Sequence, residues 1–274
     1  MTHLPSFPQR IVCLTEETTE TLYLLEEDWR IVGISGFTVR PPRARKEKPR
    51  VSAFTSAKID RIVELQPDLV LGFSDLQADI AAELVRTGIE VHVFNHRSVD
   101  ETLRMIRTLG GMIGCEAKTQ LLVERLSGGL DEVQQRAAEL TRRPRVYFEE
   151  WDEPQISCIR WVSELIGIAG GDDCFAELSI QSLGRNRIIA DPLEVPRRAP
   201  DIILGSWCGK KFQPAEVAAR PGWTDVPAIR TGFVREIKSP IILQPGPAAL
   251  TDGVRAIQEV IMEWAERDEP DSAR

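Results

Sequence analysis

Short apolar runs alternate along this chain with longer stretches in which apolar residues recur every three or four positions. Residues 10–14, 31–35, 68–72 and 90–94 are short runs rich in Val, Ile and Leu, the signature of buried strands. Between and after them, residues 58–65, residues 78–87 and the stripe Leu103, Ile106, Leu109, Ile113 carry helical spacing. The first of these helices is expected to stop before Gln66-Pro67, because proline disfavours helix in the residue that precedes it. Thr15 is placed to cap a helix after the first strand, with Glu16 and Glu17 in its first turn. Strands alternating with helices predict a mostly parallel sheet covered on both faces.

A longer helical stripe follows. Leu122, Leu126, Leu130, Val133, Ala137 and Leu140 run through Gly128-Gly129 and end at Arg142-Arg143-Pro144. A helix of ~20 residues spans ~30 Å, and one of that length between two α/β patterns reads as a rigid strut. The scheme then repeats, with strands at 145–148, 201–205 and 234–237 and a helix at 161–168 closed by Gly170-Gly171. A final helix carries Leu250, Val254, Ile257, Ile261 and Trp264 on one face, before a polar tail that starts at Asp268. Pro67-Asp68 and Pro200-Asp201 each lead into a similar strand, a weak internal repeat. The expected fold is α/β: two Rossmann-like lobes with mostly parallel sheets, 1–114 and 144–274, joined by one long rigid helix at 115–143, with a ligand cleft between the lobes.

Ligands of open α/β sheets bind beyond the carboxyl ends of the strands. That rule selects Thr15, Glu16, Phe73 and His96 in the first lobe, and Glu149, Glu150, Trp151, Trp207, Cys208, Lys210, Lys211 and Lys238 in the second. The segment 52–56 precedes a helix, so its backbone N–H groups are candidates to meet an anion. Phe54, Trp151, Trp161 and Trp207 can stack on a planar ligand or simply fill the core, and Trp207 is the strongest ligand candidate of the four. Lys210 and Lys211 suit a carboxylate or phosphate, and they can assist Cys208 as a thiolate. Glu149 and Glu150 are neighbours, so on a strand only one of them can face the ligand. The proline-rich basic stretch 36–50 reads as a solvated loop, or else as a flap or partner patch.

Composition narrows the function further. A net charge of −8 on 274 residues argues against a general nucleic-acid surface. No apolar run reaches the ~20 residues of a membrane span. Residues 1–10 have neither a basic nor an apolar signal region, so a cytoplasmic location is expected, or a periplasmic one if a leader has been removed. The five cysteines are widely spaced without C-x-x-C, which fits reduced thiols rather than a disulfide framework or a zinc ribbon. His3, His92 and His96 lack metal-ligand spacing, and the usual nucleotide, hydrolase and zinc-protease motifs are missing.

As a set, these features resemble the helical-backbone substrate-binding proteins of ABC importers, the cobalamin and iron-siderophore type. The resemblance runs from residue 10 to 265. It rests on Arg10-Ile-Val-Cys-Leu-Thr15, on Val51-Ser-Ala-Phe-Thr-Ser56 with Ile59-Asp-Arg-Ile62, on Leu65-Gln-Pro-Asp-Leu-Val70, on the strut helix, and on Trp161-Val-Ser-Glu-Leu165 with Gly170-Gly171. Phe148-Glu-Glu-Trp-Asp152, Gly205-Ser-Trp-Cys-Gly-Lys-Lys211 and Ile242-Leu-Gln-Pro-Gly-Pro247 look like a cobalamin-binding branch. The resemblance implies a binding protein rather than an enzyme. It would need no cofactor, with cobalamin, a related corrinoid or another large metal complex as cargo and an ABC permease as partner. It also implies an aromatic packed on the ligand at Phe54, beside Thr55, and an acidic docking residue at Asp60. The competing readings are a cytosolic enzyme on the same fold, with Cys208 as nucleophile or ligand and Glu149 or Glu150 as base, and a metal or oxyanion receptor using His96, the acids and the lysines.

Overall fold

A computed structural model of the chain describes residues 6–268; His3 and the tail beyond residue 268 lie outside the described residues. The chain divides into two units. The first comprises the chain up to His96, Asp100–Leu126 and Pro245–Pro247; the second comprises Arg97–Val99, Ser127–Gln244 and the chain from Ala248.

In the first unit the apolar runs form β1 (Ile11–Cys13), β2 (Ile31–Ser35), β3 (Arg50–Ser52), β4 (Leu69–Phe73) and β5 (Val91–Phe94). Their order is β3-β2-β1-β4-β5, and every pairing is parallel. Val12, Val70, Val51, Ile62 and Leu84 pack in one cluster. Their strand neighbours Ile11, Cys13, Leu69 and Leu71 are also fully buried, so the central strands are covered on both faces. The helices are α1 (Glu16–Leu24), α2 (Ala44–Glu47), α3 (Ile59–Glu64), α4 (Ala78–Arg86), α5 (Val99–Met112) and α6 (Glu116–Ala137). The stretch 36–50 departs from the expected loop: α2 interrupts it, and Ala44 is fully buried. Helix α6 has 22 residues, about 33 Å at 1.5 Å per residue. It continues through Gly128-Gly129 because Leu122, Leu126, Leu130 and Val133 keep one buried stripe.

The second unit contains β6 (Arg145–Asp152), β7 (Gln155–Ser157), β8 (Asp172–Asp173), β9 (Ile202–Gly205) and β10 (Val234–Glu236). The order is β10-β9-β6-β7, with β8 beside the first residues of β6. All pairings are parallel except β6–β7, an antiparallel hairpin closed by Glu153-Pro154. Helices α7 (Arg160–Ala169), α8 (Ala176–Ser179), α9 (Glu194–Arg198), α10 (Pro214–Ala218), α11 (Pro227–Thr231), α12 (Ser239–Ile242) and α13 (Val254–Asp268) complete it. Helix α7 packs on α13 and ends at Gly170, whose φ is +102°. The positive φ is what requires glycine there, and a Cβ would also press on Leu140 Cδ1 at 2.6 Å. Trp161 is an anchor: its ring is buried and its Nε1–H donates to Ile242 O at 2.9 Å.

The Pro-Asp repeat has a structural cause. Gln66 and Ala199, each just before the proline, hold φ of +47° and +45°. The following aspartate clamps the start of the neighbouring central strand. Asp68 N–H donates to Arg10 O at 2.9 Å, and its carboxylate accepts from Arg10 N–H at 2.9 Å. Asp201 does the same to Arg145, at 2.8 Å each way. Even the arginine side chains correspond, Arg10 reaching Leu65 O and Arg145 reaching Arg198 O. The same clamp at the same step in both units is what the repeat in the sequence encodes.

Candidate ligand-binding site

In the first unit the strand order turns at β1 and β4: the chain builds outward from β1 to β3, then crosses to β4 on the other side. The crevice at such a switch point, beyond the carboxyl ends, is where open α/β sheets hold ligands. Thr15 and Glu16 follow β1, Phe73 ends β4, and His96 follows β5. Thr15 is not a side-chain cap; its hydroxyl donates to the Glu17 carboxylate, and its carbonyl accepts from the hydroxyls of Thr18 and Thr19.

Gln77, which nothing in the sequence singled out, ties this end of the sheet together. Its side chain is fully buried. Its Oε1 accepts from Phe73 N–H at 2.9 Å, and its Nε2 donates to Phe54 O at 2.8 Å, with Leu14 O at 3.5 Å. Gly72 leaves the room this needs, since a Cβ there would meet Gln77 Oε1 at 3.0 Å. Phe54 and Thr55 sit at the tip of a tight loop closed by the Ser52–Ala57 bridge and by Ala53 N–H to Ser56 O at 2.8 Å. The expected anion cradle at 52–56 is thus a closed turn that uses its own N–H, and the helix starts only at Ile59. Phe54 is half-buried and Thr55 exposed. Phe54 leans on Phe73 (centroids 6.5 Å apart), and Phe73 meets His96 edge-on at 5.1 Å. His96 is buried, and its Nε2 bonds Pro245 O at 2.7 Å; since a carbonyl can only accept, that nitrogen carries the proton.

Glu16 is buried, and burial raises its carboxyl above the ordinary range, with a hydrogen bond at its own backbone partly opposing. A raised folded-state pKa means that the group's contribution to stability is complete below the ordinary pKa of 4.5 and is lost as pH rises through the raised value. Glu16→Gln should therefore be at least as stable as the parent at neutral pH. Melting temperatures measured across pH should show that advantage shrinking as pH falls toward 4.5.

In the second unit Glu149 and Glu150 point to opposite sides, because β6 continues through Asp152 rather than ending before them. Sequence reasoning offered one or the other as the ligand-facing group, but each is engaged inside the unit. Glu149 is fully buried and accepts from Tyr147 Oη at 2.9 Å, from Trp207 Nε1 at 3.0 Å and from both Arg220 terminal nitrogens at 2.6 and 2.9 Å. Glu150 pairs with Arg187, itself only 2% exposed, at 2.6 and 3.0 Å. Trp207 is core rather than ligand platform: 3% exposed, edge-on to Phe212 at 4.9 Å. Lys210 lies over its ring and pairs with Asp152, which raises the lysine pKa. Trp151 is half-buried, Cys208 and Lys211 are exposed, and exposed Lys238 pairs with Glu236. Ser206, after β9, has a buried hydroxyl without a partner.

Exposure separates the thiols. Cys208 is exposed, while burial pushes Cys13 and Cys174 up to about 12 and raises Cys158 as well. Iodoacetamide should label Cys208 in the native protein and reach the buried Cys13 and Cys158 only on unfolding, as read by peptide mass spectrometry. Fast native labelling of Cys158 would contradict the fold of the second unit. Among the described residues no three His, Cys, Asp or Glu side chains group to hold a metal ion, and no helix is long and apolar enough to cross a membrane.

Comparison with known proteins decides the family. The model of the family described as "Periplasmic binding protein" matches residues 11–241. The chain belongs to the periplasmic binding protein family. These are the binding proteins of ABC importers and not enzymes, and what they hold is cargo rather than a resident cofactor. An uncharacterised ABC transporter substrate-binding lipoprotein of Bacillus subtilis is 24% identical over 268 residues, covering 93% of this chain and 80% of that protein. A cobalamin-binding protein of Halobacterium salinarum is 24% identical over 257 residues, covering 89% of this chain and 67% of that protein. Among solved structures, the periplasmic heme-binding protein of Roseiflexus in apo form superposes with a TM-score of 0.77 at 23% identity, covering 92% of this chain and 99% of that one. The structural likeness supports the two-lobe α/β fold of the periplasmic binding proteins.

Proposed function

We propose that this protein binds a corrinoid, cobalamin or a close relative, with the strand-end loops of the first unit around Phe54 as its anchor. The observation that carries the reading is Phe54. It is a half-buried aromatic at a loop tip whose backbone is pinned by a buried glutamine, at the position where the resemblance to cobalamin binders puts the ring that packs on the ligand. The Halobacterium relative named for cobalamin supports the same cargo. Thr55, beside Phe54 at the same loop tip, is exposed and can meet the same ligand.

Calorimetry and absorbance titration with cobalamin, cobinamide, heme and a ferric siderophore test the proposal. The expected result is one saturable corrinoid site that Phe54→Ala weakens roughly tenfold or more, as loss of a stacked aromatic should. Heat with heme alone would overturn the cargo; heat with none of the four would overturn the reading.

We propose a cytoplasmic location, where five cysteines kept as thiols are at home. Cell fractionation tests this. Recovery outside the inner membrane would instead favour delivery to an ABC permease, as the name of the Bacillus relative suggests, with exposed Asp60 on α3 as the docking acid. In that case Asp60→Lys should abolish permease-coupled ATP hydrolysis and leave corrinoid affinity unchanged.

A further inference from the structure

The basic stretch before β3 has no part in the corrinoid reading, yet it lines a cavity of about 610 Å³ along the edge strand of the first unit. That volume lies in the range of small-molecule sites. Arg45 of α2, Lys48, Arg50 of β3, Lys58 and Arg61 of α3 all face it, and none of its lining residues is Asp or Glu. In a protein of net charge −8 such a concentration of one sign runs against the whole.

Among the described residues the cations around the cavity also lack acidic partners, unlike several arginines elsewhere in the fold. Arg30, Arg40, Arg43, Arg145, Arg187 and Arg220 each have a carboxylate partner. Among the described residues Arg45, Arg50, Lys58 and Arg61 form no ion pair, and Lys48 donates only to a carbonyl, Asp28 O, at 2.8 Å. Four uncompensated positive side chains around one concavity repel one another, and a ligand of opposite charge relieves that repulsion. Three of the four are arginines, whose planar fork matches carboxylate and phosphate oxygens two at a time. A flat basic patch would suit a macromolecule; walls formed by an edge strand, two helices and a turn suit something compact.

We propose that this cavity is a second binding site, for a small multivalent oxyanion carrying phosphate or carboxylate groups. The proposal does not depend on the corrinoid reading. Calorimetry at low ionic strength with tripolyphosphate and, in a separate arm, with citrate tests it and tells the two chemistries apart. The expected result is one saturable site for at least one of the two. The double variant Arg50→Ala/Arg61→Ala should weaken it by tenfold or more, while Arg86→Ala, an exposed arginine outside the cavity, leaves it unchanged. Absence of saturable binding in both arms, or equal weakening by Arg86→Ala, would overturn the proposal. The Phe54 loop gives Ser52, Ala53 and Ser56 to the cavity wall, but neither arginine belongs to that loop, so cobalamin titration of the same double variant is expected to give the parent's corrinoid affinity.

Discussion

Glu149→Ala is expected to destabilise the protein by about 3–5 kcal/mol, the usual cost of removing one partner from a buried ion pair. The parent carboxylate is fully buried and satisfies three donors on three different elements: Tyr147 on β6, Trp207 after β9 and Arg220 after α10. Alanine strands all three. The arginine is the most serious, because its charge stays in the protein with no counter-ion. Arg220→Ala should cost a similar amount, since it leaves the carboxylate buried and unpaired. The informative comparison is Glu149→Leu/Arg220→Met, which removes both charges and keeps apolar volume. It should recover much of the loss, because a buried pair and an apolar replacement often balance. Urea unfolding followed by circular dichroism gives all four stabilities. Additive costs in the double variant would show that Glu149 and Arg220 do not act as a pair. A cost below about 1 kcal/mol for Glu149→Ala would mean that the carboxylate reaches water, and it would return Glu149 to the list of ligand-facing groups.

That network marks the boundary of what the sequence discloses. The parallel strands were legible because both faces are buried, so runs such as Ile31–Ser35 and Leu69–Phe73 are continuously apolar. Helix α6 was legible because a 22-residue stripe outweighs two glycines. The hairpin β6–β7 was not: its turn is Glu153-Pro154, not the Asn-Gly type that announces a hairpin, and its strands carry acids. Reading β6 as a strand of four residues put Glu149 to Asp152 in a loop, where acids are expected to meet a ligand. In the structure they are strand residues, and their partners Arg187 and Arg220 lie 37 and 71 positions away. Local pattern cannot choose those two arginines from the many in the chain. The short helices α8 to α12 are four or five residues each, too brief for a 3.6-residue period to register.

Gln77→Leu is the variant expected to link stability with binding. Leucine keeps the bulk of the glutamine but neither accepts from Phe73 N–H nor donates to Phe54 O, so a buried N–H and a partly buried carbonyl lose their partner. At about 1–3 kcal/mol for the buried N–H and less for the partly exposed carbonyl, the expected loss is about 2–4 kcal/mol. The consequence for binding follows from where the lost donor points. The Phe54 loop is held at its ends by the Ser52–Ala57 bridge, and Gln77 Nε2 is the hydrogen bond that fixes its tip to the end of the sheet. Released, the tip samples other conformations, and the ordering that is built into the parent has to be supplied on binding. On the proposed corrinoid reading, affinity should therefore fall in Gln77→Leu even though the side chain is fully buried. A double-variant cycle separates this from a general weakening of the fold. If Gln77 acts through Phe54, then in a Phe54→Ala background the Gln77→Leu change still costs stability but costs no further affinity. Independent, additive losses of affinity would show that Gln77 supports the site by a route other than the Phe54 loop.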